Sequence, residues 1–240
     1  MENYYLHPEE TEPHRTCQSK RYITKLMFLA AVNRPRFDEF RNEIFDGKLS
    51  IFPFITKEAA KRTSKNRPAG TLEDKPITVN TDVVRDCLIE KLLPAIREKW
   101  QNYNGETIYI QQDNAKPHIK LNDEKFLREA AKDGFDIRLR FQPSQIPDMN
   151  VLDLGFFMSI QSLQHQEAPT TVAELLLAVN KAFNELNSQT LNDVFLSLQL
   201  CMVEVIKIRD GNNYKLKHMG KKRLARIGEL PKQIEIFLQR

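Results

Sequence analysis

The stretch Thr107-Ile-Tyr-Ile-Gln-Gln-Asp113-Asn-Ala-Lys-Pro-His118 decides how this chain is read. Residues 107–112 are an apolar, β-prone run, and the chain turns polar at Asp113. That places an acidic side chain where a strand gives way to a loop, and functional groups gather at the carboxyl ends of strands in open α/β sheets. Asn114, Lys116 and His118 follow at once. An Asp-Asn pair alone is also ordinary turn chemistry, satisfying nearby backbone groups; the whole string is more specific.

A second acidic position, separated from Asp113 by thirty-nine residues, lies in Pro147-Asp-Met-Asn-Val-Leu-Asp153-Leu-Gly-Phe-Phe157. Asp153 sits among Val151, Leu152, Leu154, Phe156 and Phe157, about one turn into a helix expected from about Asn150 to Gln164. An acid on so apolar a segment is costly unless paired or metal-bound. A charge favoured by the helix dipole is the simpler alternative, weakened because Asn150 or Asp148 can act as the cap. Phe156, Phe157, Ile160 and Leu163 read as core. A strand-end and a helix-face carboxylate can together hold a hard divalent cation over a phosphodiester.

Working outward, residues 22–32 and 49–56 read as strands, with Pro53 pushing the second towards an edge or bulge. Lys57 to Pro76 reads as a long basic loop carrying Lys61, Arg62, Lys65 and Arg67. Val84, Leu88, Leu92, Ile96 and Trp100 recur every four residues, which predicts a helix over 82–100, capped by Thr81 and kinked at Pro94. A short helix is expected over 123–132, stopped by Asp133-Gly134, and a half-buried strand over 136–141. Thr171-Val-Ala-Glu174 is a capping box opening a helix to about Leu186. Another helix is expected from Leu191 to Ile208, and a short one near Ile234. Strand–helix–strand units followed by helices predict an α/β domain: a mixed sheet flanked by helices, with a helical C-terminal half.

Bulk composition fits that reading. The chain has 240 residues, 41% hydrophobic and 28% charged, and a net charge of +4. Residues 207–240 hold ten Lys/Arg against three acids, a basic tail that includes Lys221, Lys222 and Arg223. Such a tail is either a phosphate-binding footprint or a solvated helix face. The organisation expected is a body over 1–206 and a basic segment over 207–240. Cys17, Cys87 and Cys201 are far apart and show no paired spacing, pointing to a reducing compartment and no zinc site. No run reaches membrane-spanning length, so no membrane association is expected. Glycine-rich phosphate loops, nucleophile elbows and His-Glu-x-x-His strings do not occur.

Ile110-Gln-Gln-Asp113-Asn-Ala-Lys-Pro-His118 and Pro147-Asp-Met-Asn-Val-Leu-Asp153-Leu-Gly-Phe-Phe157 together resemble mariner-like transposases, in the branch known from plants and water moulds. Asn3-Tyr-Tyr-Leu6, Glu12-Pro-His-Arg-Thr-Cys17 and Ser64-Lys-Asn-Arg-Pro-Ala-Gly-Thr-Leu-Glu73 also look like that branch. The resemblance implies an RNase H-like fold with three aspartates binding two Mg²⁺ or Mn²⁺ ions for DNA cleavage and strand transfer. Asp113 matches the second aspartate and Asp153 the third. Lys61, Arg62, Lys65, Arg67, Lys116, His118, Lys221, Lys222 and Arg223 would contact DNA, with His118 a loop contact and not a metal ligand. A homodimer and a nuclear location are implied on the same grounds.

The chain departs from the pattern. The first aspartate's strand, which the family carries just before the Asn-Tyr-Tyr segment, is expected to be missing, as is the helix-turn-helix domain. Gln145-Ile146 stands where Asn-Ser is usual. Impaired catalysis is therefore expected; the alternative is a non-catalytic, DNA-binding or oligomerising remnant. Losing a central strand would leave exposed edges.

Overall fold

A computed structural model describes residues 25–64, 67–100, 103–144, 146–164, 169, 171–208, 214 and 219–234. Six strands come first: β1 (Phe28–Val32), β2 (Arg36–Phe37), β3 (Glu43–Phe45), β4 (Lys48–Pro53), β5 (Ile55–Ala59) and β6 (Leu72–Pro76). Helix α1 (Thr81–Cys87) runs through a π turn (Leu88–Leu92) into α2 (Leu93–Lys99). Then come β7 (Ile108–Gln112), α3 (Glu124–Ala130) and β8 (Ile137–Phe141). A 3₁₀ turn (Pro147–Met149) and a π turn (Leu152–Phe156) lead into α4 (Phe157–Gln164), followed by α5 (Val172–Glu185), α6 (Ser188–Lys207) and α7 (Lys221–Arg226). The architecture is mixed α/β with small sheets. Each described sheet has two strands: β1–β4, β2–β3 and β5–β6 are antiparallel, and β7–β8 is parallel.

The β1–β4 ladder separates two apolar cores, as the period-2 alternation of a strand requires. Leu29 and Ala31, with Leu49 and Phe52 of β4, pack towards a core built from Leu88, Leu92, Leu93 and Ile96. Phe28, Ala30 and Val32, with Ile51, pack towards a second core of Phe156, Ile160, Val179 and Phe183. The β7–β8 ladder adds Ile108, Ile137 and Leu139 to the first core, where α3 contributes the fully buried Phe126. The opposite face of β7–β8 stays open: Tyr109, Arg138 and Arg140 are exposed, and the Arg140 guanidinium lies 4.1 Å from the Tyr109 ring centroid.

Several expectations are corrected. Lys57 to Pro76 is not a loop throughout: β5 and β6 pair from Ile55↔Pro76 to Ala59↔Leu72, and only the connection between them is irregular. Its strands escape periodicity because they are mostly exposed and charged, held by backbone bonds and a Lys75–Glu58 pair at 3.1 Å. The expected strand 49–56 is two strands, broken at Phe54, whose N–H donates to Met27 O. Pro53 closes the β1–β4 register opposite Phe28, a ladder end where its missing donor matters least. The strand expected over 22–32 begins at Phe28; residues 22–24 lie outside the described residues.

Asn80, not Thr81, caps the long helix, its side chain accepting from Val83 N–H at 2.9 Å. Pro94 is accommodated by the π turn just before it, where Leu93 N–H reaches back to Leu88 O. Asp123 caps α3, and Asp133 and Gly134, both at positive φ, end that segment as expected. The Thr171–Glu174 capping box is present with both bonds at 3.1 Å. In the basic tail the helix forms at Lys221–Arg226; Ile234 is not helical, and residues 235–240 lie outside the described residues. No described helix is long and apolar enough to cross a membrane.

Candidate metal and nucleic-acid site

Asp113 follows the last residue of β7, and Asp153 is the second residue of the π turn that opens α4. Both line the mouth of one cleft. Asn150 makes the local geometry of Asp153: its Oδ1 accepts from Leu152 N–H at 3.0 Å, so it is the cap, and its Nδ2 donates to Asp153 Oδ2 at 2.8 Å. Ala115 N–H donates to Asp113 Oδ1 at 2.8 Å, and His118 Nε2 lies 2.8 Å from the same oxygen. Asp113 therefore closes an Asx turn. The apolar surroundings push the Asp153 carboxyl above its ordinary pKa, and the nearby Asp113 charge pushes it further. The two acids line the same cleft although thirty-nine residues of sequence separate them.

Side-chain ties brace the two segments. Gln111 Nε2 donates to Met149 O at 2.8 Å, fixing the 3₁₀ turn to β7. Asn114 Nδ2 donates to Gln142 O at 3.1 Å, fixing the Asp113 loop to the end of β8. Tyr214 O–H donates to Asp148 Oδ2 at 3.1 Å; burial, then that carboxylate, pushes the phenol up to about 12.

The described contacts of each carboxylate fall on one oxygen, Oδ1 of Asp113 and Oδ2 of Asp153, which leaves the other oxygen without a described contact. Hard oxygen donors of this kind are the ligands Mg²⁺ takes, and two of them are fewer than a pair of ions needs. Among the described residues there is no cluster of three His, Cys, Asp or Glu side chains able to hold a metal.

The basic residues fare unequally. Lys61 and Arg62 are exposed on the β5–β6 connection, Lys116 is exposed beside Asp113, and Lys222 and Arg223 are exposed on α7. Lys65 lies outside the described residues. Arg67 pairs with Glu73 across the hairpin. The Lys221 ammonium is tied to Asp193 O at 2.8 Å and to Ser197 Oγ on α6, and burial lowers its pKa. These contacts dock α7 on α6 and leave Lys221 half-buried. His118 is half-buried in the loop and contacts Asp113.

Sequence reasoning missed Arg138 and Arg140. Their alternation with Ile137, Leu139 and Phe141 was the available signal: on a strand with one buried face, the arginines must share the open one. Searches against protein-family models, curated proteins and solved structures return no match for this chain.

Proposed function

We propose that this chain is part of an RNase H-like transposase catalytic domain of the mariner-like kind, for metal-dependent DNA cleavage and strand transfer, with weak activity where Asp113 and Asp153 alone hold the metal. The observation that carries the reading is the convergence of Asp113 and Asp153 at one cleft mouth, from a strand end and a helix start. A divalent ion, Mg²⁺ or Mn²⁺, would be held by these two carboxylates, supplying Lewis acidity towards a phosphoryl oxygen and a more acidic bound water. His118 and the Ala115 N–H set the orientation of Asp113, and Asn150 sets that of Asp153. Arg140 and Lys116, exposed near the strand end, supply positive charge for a DNA backbone. Nuclear location and dimerisation belong to the same proposal.

Two carboxylates hold a metal loosely, which is why impairment is part of the reading. The test is Mn²⁺ titration by calorimetry on the wild type and on an Asp113→Asn, Asp153→Asn double variant, beside a plasmid-nicking assay. Weak binding lost in the double variant, with little nicking, is the expected result. No Mn²⁺ binding by the folded wild type would refute the metal reading; vigorous nicking abolished by Asp113→Ala would refute the impairment.

A second reading, a non-catalytic DNA-binding remnant, is favoured by the exposed Lys61, Arg62, Lys222 and Arg223. It requires DNA affinity that falls steeply with salt and is unchanged in the double variant.

A further inference from the structure

Asp153 is exposed and faces the open cleft that runs on beside β1, so no packed wall opposite it holds its carboxylate in place. Its position has to come from the chain before it. That chain is the 3₁₀ turn Pro147–Met149, a weak element by itself: a single turn of three residues, opened by a proline without an N–H. Asn150 follows it in extended conformation, at φ −112° and ψ 115°, so no continuous helix joins the turn to Asp153. The link is Asn150 itself. Its N–H donates to Pro147 O at 2.9 Å, and its own O accepts from Leu154 N–H at 2.9 Å. Its side chain accepts from Leu152 N–H and donates to Asp153 Oδ2. Asp153 therefore inherits its place from a turn that needs holding from outside.

Two described side chains hold that turn. Gln111, on the strand that ends beside Asp113, donates to Met149 O. Tyr214, sixty-six residues beyond Asp148, donates to its Oδ2. Burial and then Asp148 raise the phenol to about 12, so the hydroxyl keeps its proton and the bond stands across the physiological range. The segment that carries Tyr214 has other means of docking. Lys221 is tied to Asp193 and Ser197 on α6, Ile234 N–H donates to Gln199 Oε1 at 3.1 Å, and the Arg34 guanidinium donates to Lys232 O. Those bonds are made to α6 and to Arg34. The Tyr214 bond is made to the turn ahead of Asp153.

We propose that Tyr214 is a positioning residue for Asp153: through Asp148 it holds the 3₁₀ turn, and with it Asn150, where the Asp153 carboxylate is aimed into the cleft beside Asp113. Its consequence for a bound ion rests on the metal reading given above; its consequence for Asn150 does not. The basic C-terminal segment is then a working part of the site, because its docking reaches the carboxylate.

The test compares the full chain as wild type, Tyr214→Phe, Asp148→Ala and Asp148→Asn, with Gln199→Ala as a control that unties the same segment elsewhere. Two quantities are read: amide hydrogen exchange at Leu152 and Leu154, whose N–H groups bond Asn150, and Mn²⁺ affinity by calorimetry. Tyr214→Phe and Asp148→Ala are expected to speed exchange at both amides by about threefold or more and to weaken Mn²⁺ binding by about three- to tenfold. Asp148→Asn keeps an acceptor for the Tyr214 hydroxyl and should stay closer to wild type than Asp148→Ala, a difference that loss of the negative charge alone would not produce. Gln199→Ala should change neither quantity. Unchanged exchange in Tyr214→Phe would overturn the proposal whatever the metal does. So would faster exchange with Mn²⁺ affinity intact, because Asn150 would then move without disturbing Asp153. Faster exchange in Tyr214→Phe, in a protein whose wild type binds no Mn²⁺, would refute the metal reading and leave Tyr214 as the residue that holds Asn150 and Asp153 in place.

Discussion

Gly155 lets the turn that carries Asp153 pack closely on α6, and Gly155→Ala tests this. Gly155 lies in the π turn that carries Asp153, against α6. A Cβ at this position would stand 2.9 Å from Val194 Cγ2 and 3.1 Å from Val194 Cγ1. Carbon pairs prefer about 3.5–4.0 Å, so both contacts fall inside the repulsive wall. Overpacking of this kind costs about 1–3 kcal/mol. Alanine in a helical turn recovers up to about 1 kcal/mol relative to glycine. The net expectation is a loss of about 0.5–2 kcal/mol in urea unfolding followed by circular dichroism. The double variant Gly155→Ala, Val194→Ala separates this mechanism from a general intolerance of the turn. Truncating Val194 removes both clashing methyls, so its cost should be smaller by about 1 kcal/mol or more in the Gly155→Ala background than in the wild-type background. Strict additivity of the two substitutions would refute the steric account. A Gly155→Ala protein as stable as the wild type would refute the close packing of the π turn on α6.

Asp123 gives a pH test. Burial pushes its carboxyl up, but the Phe126 N–H and the Arg85 guanidinium together outweigh burial, so its folded pKa lies below the ordinary 3.8. A depressed carboxylate contributes stability that is present above the unfolded value and lost as pH falls through the folded one. Asp123→Asn, which keeps a capping oxygen but loses the charge, is therefore expected to be less stable than wild type at pH 7, by about 1–3 kcal/mol. The gap should close below pH 3.8; a gap independent of pH would count against the ion pair. On α7, Lys221→Ala should lower the melting temperature and leave the salt dependence of DNA binding unchanged. Lys222→Ala should do the reverse, reducing the slope of log affinity against log salt by about 1 if it meets a phosphate. Equal effects of the two would mean that the anchoring of Lys221 to α6 is not what distinguishes them.

What the sequence could disclose followed from periodicity and from caps. Val84, Leu88, Leu92 and Ile96 all fall in the first core because a four-residue recurrence keeps one face of a helix turned inward. The Thr171–Glu174 box set the start of α5 because its two bonds are local. β8 was legible because Ile137 and Leu139 alternate with Arg138 and Arg140, and β7 because its run ends abruptly at Asp113. The β5–β6 hairpin was not legible, since a two-stranded ribbon with charged faces is held by backbone pairing, which leaves no mark on side-chain pattern. The π turns escaped because their extra residue shifts the helical face by an amount that periodicity alone cannot locate. For the site, the two aspartates could be named from their motifs, but their proximity could not, and neither could the withdrawal of Arg67 and Lys221 into ion-pair and docking roles. Those depend on Glu73 and on Asp193 and Ser197, whose partnership is a product of folding.

The cleft beside β1 changes how the stability of the whole chain should behave. Folded sequences are consistent across levels: an apolar strand is found where it can be buried. β1 meets the local requirement and fails the global one, because water reaches it through the cleft. A chain in this state exposes less new apolar surface on unfolding than one whose central strands are covered. The slope of unfolding free energy against urea tracks that surface, so the slope should be low for a chain of 240 residues. A slope at the ordinary value for that length would mean that β1 is dry in the folded chain and that the cleft does not hydrate it.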